Sequence, residues 1–352
     1  MIRRPPRSTL DRSSAASDVY KRQPFNQDLS SWDVSNVTDM QHMFQGATSF
    51  VGTGINNWDV SNVTDMESMF NGASSFNHDL SNWDVSNVQD MLNMFKNATS
   101  FNGDVSGWVF SSIVTNRSES IFNGASSFEG IGLETWDVSN LTDLGAMFSG
   151  TTSLTNVDLS SWDVSNITQM NGTFQYSTFN GNISNWDVSS VINMGGTFFY
   201  NNEFNQDLSS WDVSNVTSMS RMFEQATSFD QDISSWDVSN VTNMGLIFYN
   251  AANFNQDLSS WNVSNVTNMY YAFCNASSFN QDLSNWDVSS VTSMHMMFPG
   301  CTSFTSNLSG WDVSNVTDMH RIFDGATNFP SDLSGWDVSN VTDMKYMFKG
   351  NM

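Results

Sequence analysis

The chain has 352 residues, with 12 Lys and Arg against 36 Asp and Glu and a formal net charge of −24. So acidic a surface repels phosphate, which argues against nucleic acid and anionic membranes and suits cations, basic partners or salty surroundings. The two cysteines are too few for a disulfide-stapled scaffold, and no apolar run is long enough to cross a membrane.

Residues 1–23, MIRRPPRSTLDRSSAASDVYKRQ, hold six of the twelve basic residues but no apolar core of the kind a secretory signal carries. They read like the translation of a sequencing adaptor and are set aside as a non-native or disordered tail. The chain stops at KGNM in the middle of a repeat. The expectation is one solenoid domain over 24–352, truncated at both ends, with export signal and anchor not present in this chain. From Pro24 onward, 6 Lys and Arg face 34 Asp and Glu.

From there one unit returns thirteen times. The Trp are at 32, 58, 83, 108, 136, 162, 186, 211, 236, 261, 286, 311 and 336, most often 25 residues apart. A Phe follows each Trp by twelve residues, from Phe44 to Phe348, except after Trp108, where two residues are inserted and Val109 replaces the usual Asp. A second Phe opens each copy, with Leu154 as the one substitute. Repetition at this period predicts a solenoid whose units bury their apolar faces on their neighbours. Leu29, Trp32 and Val34 predict a short extended segment. Val37, Met40, Met43, Phe44 and Ala47 have helical spacing and predict a helix of one to two turns, begun near Ser35 or Thr38 and ended at Gly46. The fold expected is an α/β repeat solenoid of about thirteen coils, with strands stacked roughly 4.8 Å apart. Trp32, Trp83, Trp211, Trp236, Trp261 and Trp286, with Phe44, Phe223, Phe248 and Phe273, are expected to stack as core files, not as a sugar-binding platform. Cys301 stands where most copies carry a small residue and reads as a buried small hydrophobe. Cys274 is two positions out of register, so a bridge between them is not indicated.

Copies such as FNQDLSSWDVSNVTSMSRMFEQATS resemble the BspA-like leucine-rich repeats of bacterial and protist surface proteins. The resemblance covers 24–352 and rests on W-D-V-S-x-V-T-x-M; the Trp108 and Asn262 copies depart from W-D. It implies a leucine-rich-repeat-type solenoid at the cell surface or secreted, in a family associated with adhesion to host or matrix proteins or to other cells.

Three registers hold 26 of the 34 acids of the repeat region: directly after Trp, four residues before Trp, and five residues before the later Phe. Like charges about 5 Å apart repel by roughly 0.8 kcal/mol in water and more when half-buried, and six basic residues do not offset whole files. Either each Asp accepts backbone amides one to three residues on, in Asx-turns or caps, as Asn262, Asn182 and Asn307 would without charge, or the files bind Ca²⁺. For the second reading the candidate ligands are Asp207, Asp212, Asp232, Asp237, Asp257, Asp282 and Asp287, although no EF-hand spacing is present. No other cofactor is required.

Two positions before the later Phe, and two after it, change freely between copies. All six Tyr beyond residue 23 lie in these slots. Tyr and Arg are side chains that interfaces favour, so Arg221, Tyr249, Tyr270, Tyr271 and Arg321 are candidates for an aromatic and basic ligand-binding patch. His295 and His320 share a register in consecutive copies, within reach of one metal but with no third ligand register beside them. His42 and His78 are scattered, and neither a phosphate loop nor a zinc-protease helix appears, so no enzyme is expected. The sequons, such as Asn36-Val37-Thr38, are generated by the repeat. The function expected is a monomeric, non-enzymatic surface or secreted protein that presents a long surface to proteins or glycans, in adhesion. A Ca²⁺-stabilised spacer, an ice or mineral binder and an enzyme are the alternatives, in falling order.

Overall fold

The computed structural model describes residues 24–114, 117–330 and 332–351. The expectations for 1–23 lie outside them. The described chain winds into stacked coils, each joined to the next by backbone hydrogen bonds. Thr64 donates its amide to Thr38 in the preceding coil, and Met40 donates to Asp65 in the following one. The two bonds flank a single parallel bridge, and such bridges run from Asp39 with Asp65 to Asp318 with Asp343. His42, Phe44 and Gly46 likewise donate to Glu67, Met69 and Asn71 of the next coil. Alternate amides therefore point along the solenoid axis and satisfy the groups that a buried chain cannot leave bare.

Among the described residues the expected helix of each coil is absent. The one helical element among the described residues is a 3-10 turn, Leu133–Thr135. In place of the helix, Met43 donates to Met40, Gln45 to His42 and Ala47 to Phe44, three tight turns in succession. His42 has φ 57° and Gly46 φ 69°, each at the third position of a turn, which is the type II signature. Turns that fold back every three or four residues return Met40, Phe44 and Ala47 to the interior with helix-like spacing. The expected strand is equally short, one bridge per coil.

The aromatic files form as the sequence predicts. Facing indoles stack nearly parallel, from 5.9 Å between Trp108 and Trp136 to 6.5 Å between Trp286 and Trp311. The later Phe stack along the axis, as Phe44 on Phe70 at 5.5 Å, and where the next unit opens with Phe they lie against it, as Phe44 against Phe50 at 4.2 Å. From Trp58 to Trp336 every indole N–H donates to a carbonyl one coil back, as Trp261 to Ile233 at 3.1 Å and Trp286 to Leu258 at 2.9 Å. Burying Trp is favourable only when that N–H has a partner. Trp32 departs from the expectation of a buried core: it is 50% exposed, because no described coil covers its outer face. Trp83, Trp211, Trp236, Trp261 and Trp286 are buried, as are Phe44, Phe223, Phe248 and Phe273. Cys274 and Cys301 are free, buried thiols, and burial pushes Cys274 up to about 12. The chain is therefore a repeat solenoid built on turns rather than on helices.

Candidate docking face

The recurring polar letters of the repeat are consumed by the joints between coils. Asn62, Asn87, Asn215, Asn240 and Asn265 each donate a side-chain N–H to a Ser carbonyl one coil back, at 2.7 to 2.8 Å. The Asp files behave as Asx-turns. Asp207, Asp212, Asp232, Asp237, Asp257, Asp282 and Asp287 each accept the amide of the Ser two residues on, at 2.8 to 3.0 Å. Asn262, Asn182 and Asn307 accept the same bond without charge. Backbone and hydroxyl donation from Ser209 holds Asp207 below the ordinary carboxylate value, and the Ser214 hydroxyl and amide do the same for Asp212. A cleft of about 550 Å³ lies along this corner between Trp186, Asp187, Asp207 and Asp212. Among the described residues no three His, Cys, Asp or Glu gather as a metal-holding set.

The other side of each coil has a different construction. Its four columns are the two variable positions before the later Phe and the two after it. Their backbone is pinned to neighbouring coils, and only some side chains add to the joints, as the Ser220 hydroxyl donates to the Gly245 carbonyl and the Asn275 amide to Asn250. Among the described residues, all seventeen non-glycine residues with positive φ sit in two of these columns, among them Arg221, Leu246, Tyr271, Met296, Arg321 and Tyr346 in the first, and Tyr176 and Tyr200 in the second. An L-residue held there costs roughly 1–2 kcal/mol; Gly172 and Gly196 occupy the same first column without it. The four columns collect all six Tyr beyond residue 23, five of the six Lys and Arg and three of the four His.

The predicted patch falls into two clusters. In the first, Arg221 lies over the Phe199 ring at 5.5 Å and pairs with Glu224 at 3.1 Å. Phe199 meets Tyr176 and Tyr200 edge-on at 5.0 and 4.8 Å, and those two Tyr, 49% and 41% exposed, stack on each other at 5.1 Å. In the second, Tyr271 touches Tyr249 and Tyr270, each at 5.8 Å, and packs on His295 at 5.3 Å. His295 stacks on His320 at 4.9 Å, His320 meets Tyr346, and Arg321 covers the Tyr346 ring at 4.9 Å. The sequence groups Arg221 with Tyr249, Tyr270 and Tyr271, but its ring contact is with Phe199, one coil back. Phe199 is missing from the predicted patch because it stands next to the core residue Phe198; its column position is the signal that marks it. The His pair also has carboxylates beside it, contrary to expectation: His295 Nδ1 is 3.0 Å from Asp318 Oδ2, and His320 Nδ1 is 3.5 Å from Asp343 Oδ2.

Four acids on this side sit in drier surroundings than those of the Trp corner. Burial raises Asp90, Asp143, Glu119 and Glu224 above their ordinary values, against amide donation to Asp90 and Asp143. Arg117, in the same file as Asp65, Asp90 and Asp143, lies 3.3 Å from Asp90.

A solenoid of tandem units with repeated joints and one variable face defines a tandem-repeat protein. The chain belongs to the family described as "Mycoplasma protein of unknown function, DUF285", whose model matches residues 14–130, 114–194, 175–281 and 247–352. No curated protein matches it. Among solved structures it is similar to a leucine-rich repeat protein from Bacteroides ovatus, at 11% identity over 78% of each chain with a TM-score of 0.32. It is also similar to a Leptospira interrogans leucine-rich-repeat protein, at 10% identity over 80% of this chain and 75% of that one, TM-score 0.23. A third is the plant peptide hormone receptor RGFR1 in complex with RGF2, at 11% identity over 80% of this chain and 44% of that one, TM-score 0.26. At such scores superposition carries no argument, and the solenoid rests on the chain's own ladders. Among the described residues no helix is long and apolar enough to cross a membrane.

Proposed function

We propose that the chain is a non-enzymatic repeat protein, displayed at the cell surface or secreted, whose variable face docks proteins or glycans in adhesion. One observation carries the reading: beyond residue 23 the face gathers all six Tyr and five of the six Lys and Arg. Tyr and Arg give large, adaptable contact area at low entropic cost. The strained backbone under Tyr271, Arg321 and Tyr346 supports it as well, since glycine would relieve the strain and is used in the same column elsewhere. The resemblance of the repeat to BspA-like surface proteins points the same way for location and for adhesion.

The test is a binding screen of the purified chain against matrix proteins and arrayed glycans, repeated with Tyr270→Ala and Tyr271→Ala together. The double variant should lose at least about tenfold in affinity at an unchanged fold. Equal affinity removes the face from the account. A calcium-stabilised spacer is a second reading, favoured by the three Asp files; a melting temperature that drops on adding chelator would support it.

A further inference from the structure

We propose that the open face of the Tyr176 ring receives a cationic side chain, Arg or Lys, of a basic protein partner. The inference rests on the docking reading above and names the chemistry that one part of the face selects. Tyr176 is 49% exposed, and both of its ring contacts come from the following coil: Tyr200 stacks on it at 5.1 Å and Phe199 meets it edge-on at 5.0 Å. The preceding coil puts Gly150 in the same column, and the coil before that puts Gly124 there. A Cβ built on Gly150 would have only the Gly124 backbone within 4 Å. One face of the Tyr176 ring is therefore covered by Tyr200, and the other looks onto an open step in the column. A group standing at the level of Gly150 lies one coil from the ring, roughly 4.8 Å, inside the reach of about 6 Å over which an aromatic face attracts a cation.

The chain's own cations show what rings on this side hold. Arg221 lies over Phe199 at 5.5 Å, and Arg321 and Lys349 lie over Tyr346 at 4.9 and 5.4 Å. Half of the six Lys and Arg beyond residue 23 thus sit on rings of the face. The face of an aromatic ring is its negative side, and a flat guanidinium stacks on it well. Tyr176 is served by none of them: Arg221, two coils on, is held by Phe199 and Glu224. Its cation has to be supplied from outside.

Charge selects the same partner. From Pro24 onward 34 acids face six Lys and Arg. The coils of Gly124 and Gly150 carry Glu119 and Asp143, against Lys96 one coil earlier. Such a field draws in and orients a basic partner, whereas a neutral sugar or an apolar side chain gains nothing from it.

The experiment follows binding of a dye-labelled Gly/Ser peptide with spaced Arg residues to the full chain, by fluorescence anisotropy at physiological salt. Tyr176→Ala and Tyr176→Leu should each weaken binding about threefold to fivefold, Tyr176→Phe should hold it within about twofold, and Tyr176→Trp should tighten it. Leu separates the π face from plain burial. Gly150→Asn places a side chain in the open step with the backbone geometry that Asn97 and Asn275 already adopt in this column, φ 58° and 59°. It should weaken binding as Tyr176→Ala does, with the urea midpoint showing that each variant is folded. No binding, binding that neither Tyr176→Ala nor Gly150→Asn alters, or Leu serving as well as Tyr overturns the proposal. Tyr176-dependent capture of a neutral oligosaccharide in place of the peptide overturns it too. Any of these results leaves the adhesion reading to its own test at Tyr270 and Tyr271.

Discussion

The Trp corner and the variable face are built from the same coils, yet their residues answer to different constraints. At the corner the polar side chains are tied into fixed bonds. The indole N–H reaches the coil behind, Asn reaches the Ser carbonyl behind, and Asp accepts its own Ser amide. A substitution there breaks a bond that is repeated down the whole molecule. On the face the backbone makes most of the joints and no one side chain is required, so Gly195-Gly196, Ser220-Arg221 and Tyr270-Tyr271 occupy equivalent places. The difference teaches that sameness between the coils of this protein marks architecture, and variation marks the surface available for contact.

The largest effect should come from the corner. Trp261→Ala removes a buried indole and one of the two donors to the Ile233 carbonyl, and should cost about 3–5 kcal/mol in urea unfolding. Tyr270→Ala, on the face, should cost less than about 1 kcal/mol. Similar losses at the two sites would erase the contrast.

Acidification separates the regions next. Asp207, Asp212, Asp232 and Asp237 are held below the ordinary carboxylate value by Ser amides and hydroxyls. Their folded values lie below the unfolded ones, so their contribution is complete above the unfolded value and is lost as pH falls through the folded one. Asp143, Glu119 and Glu224 are raised by burial, and their cost while ionised is relieved as pH falls through their higher folded values. The urea midpoint should hold or rise as pH drops toward the carboxylate range, then collapse below it. A steady decline beginning at neutral pH would contradict the face half of this picture.

A finer test uses the backbone. At Tyr271, φ 56°, glycine should be more stable than alanine by about 1 kcal/mol, the reverse of the usual order. Alanine proving as stable as glycine would mean that the joints do not hold this geometry in solution. Asp143→Asn should stabilise slightly at neutral pH, because Asn193 and Asn243 already accept the equivalent amide without charge. The smallest effect belongs to Asp237→Asn, which Asn262 shows to be compatible with the same turn. A loss above about 1 kcal/mol there would point to a bound cation that the Asx-turn does not explain.

Much of the core is legible in the sequence because a 25-residue period puts like on like: Trp and Phe registers become stacked files, and the Asp-x-Ser spacing becomes Asx-turns. The turns are not legible as turns, because in a chain of them Met40, Phe44 and Ala47 come inward at the same interval as in a helix. The corrective signal lies in the second column after the core Phe, where Gly46, Gly72, Asn97, Gly124 and Gly150 mark a left-handed residue in coil after coil. The face is legible as a set of variable slots. Its partition is not, since whether Arg221 meets Phe199 or Tyr249 depends on which neighbouring coil its long side chain leans over, and spacing is silent about that. Asp318 and Asp343 beside the His pair are hidden likewise, because the contact runs between coils.

The indole bond to the coil behind is made from Trp58 through to Trp336, with the same donor and the same carbonyl register each time. One unit can therefore be excised or duplicated and the cut edges still match. Such a gene is free to change length by recombination between its own copies, and each event reorders the contact surface without a single new joint having to be invented.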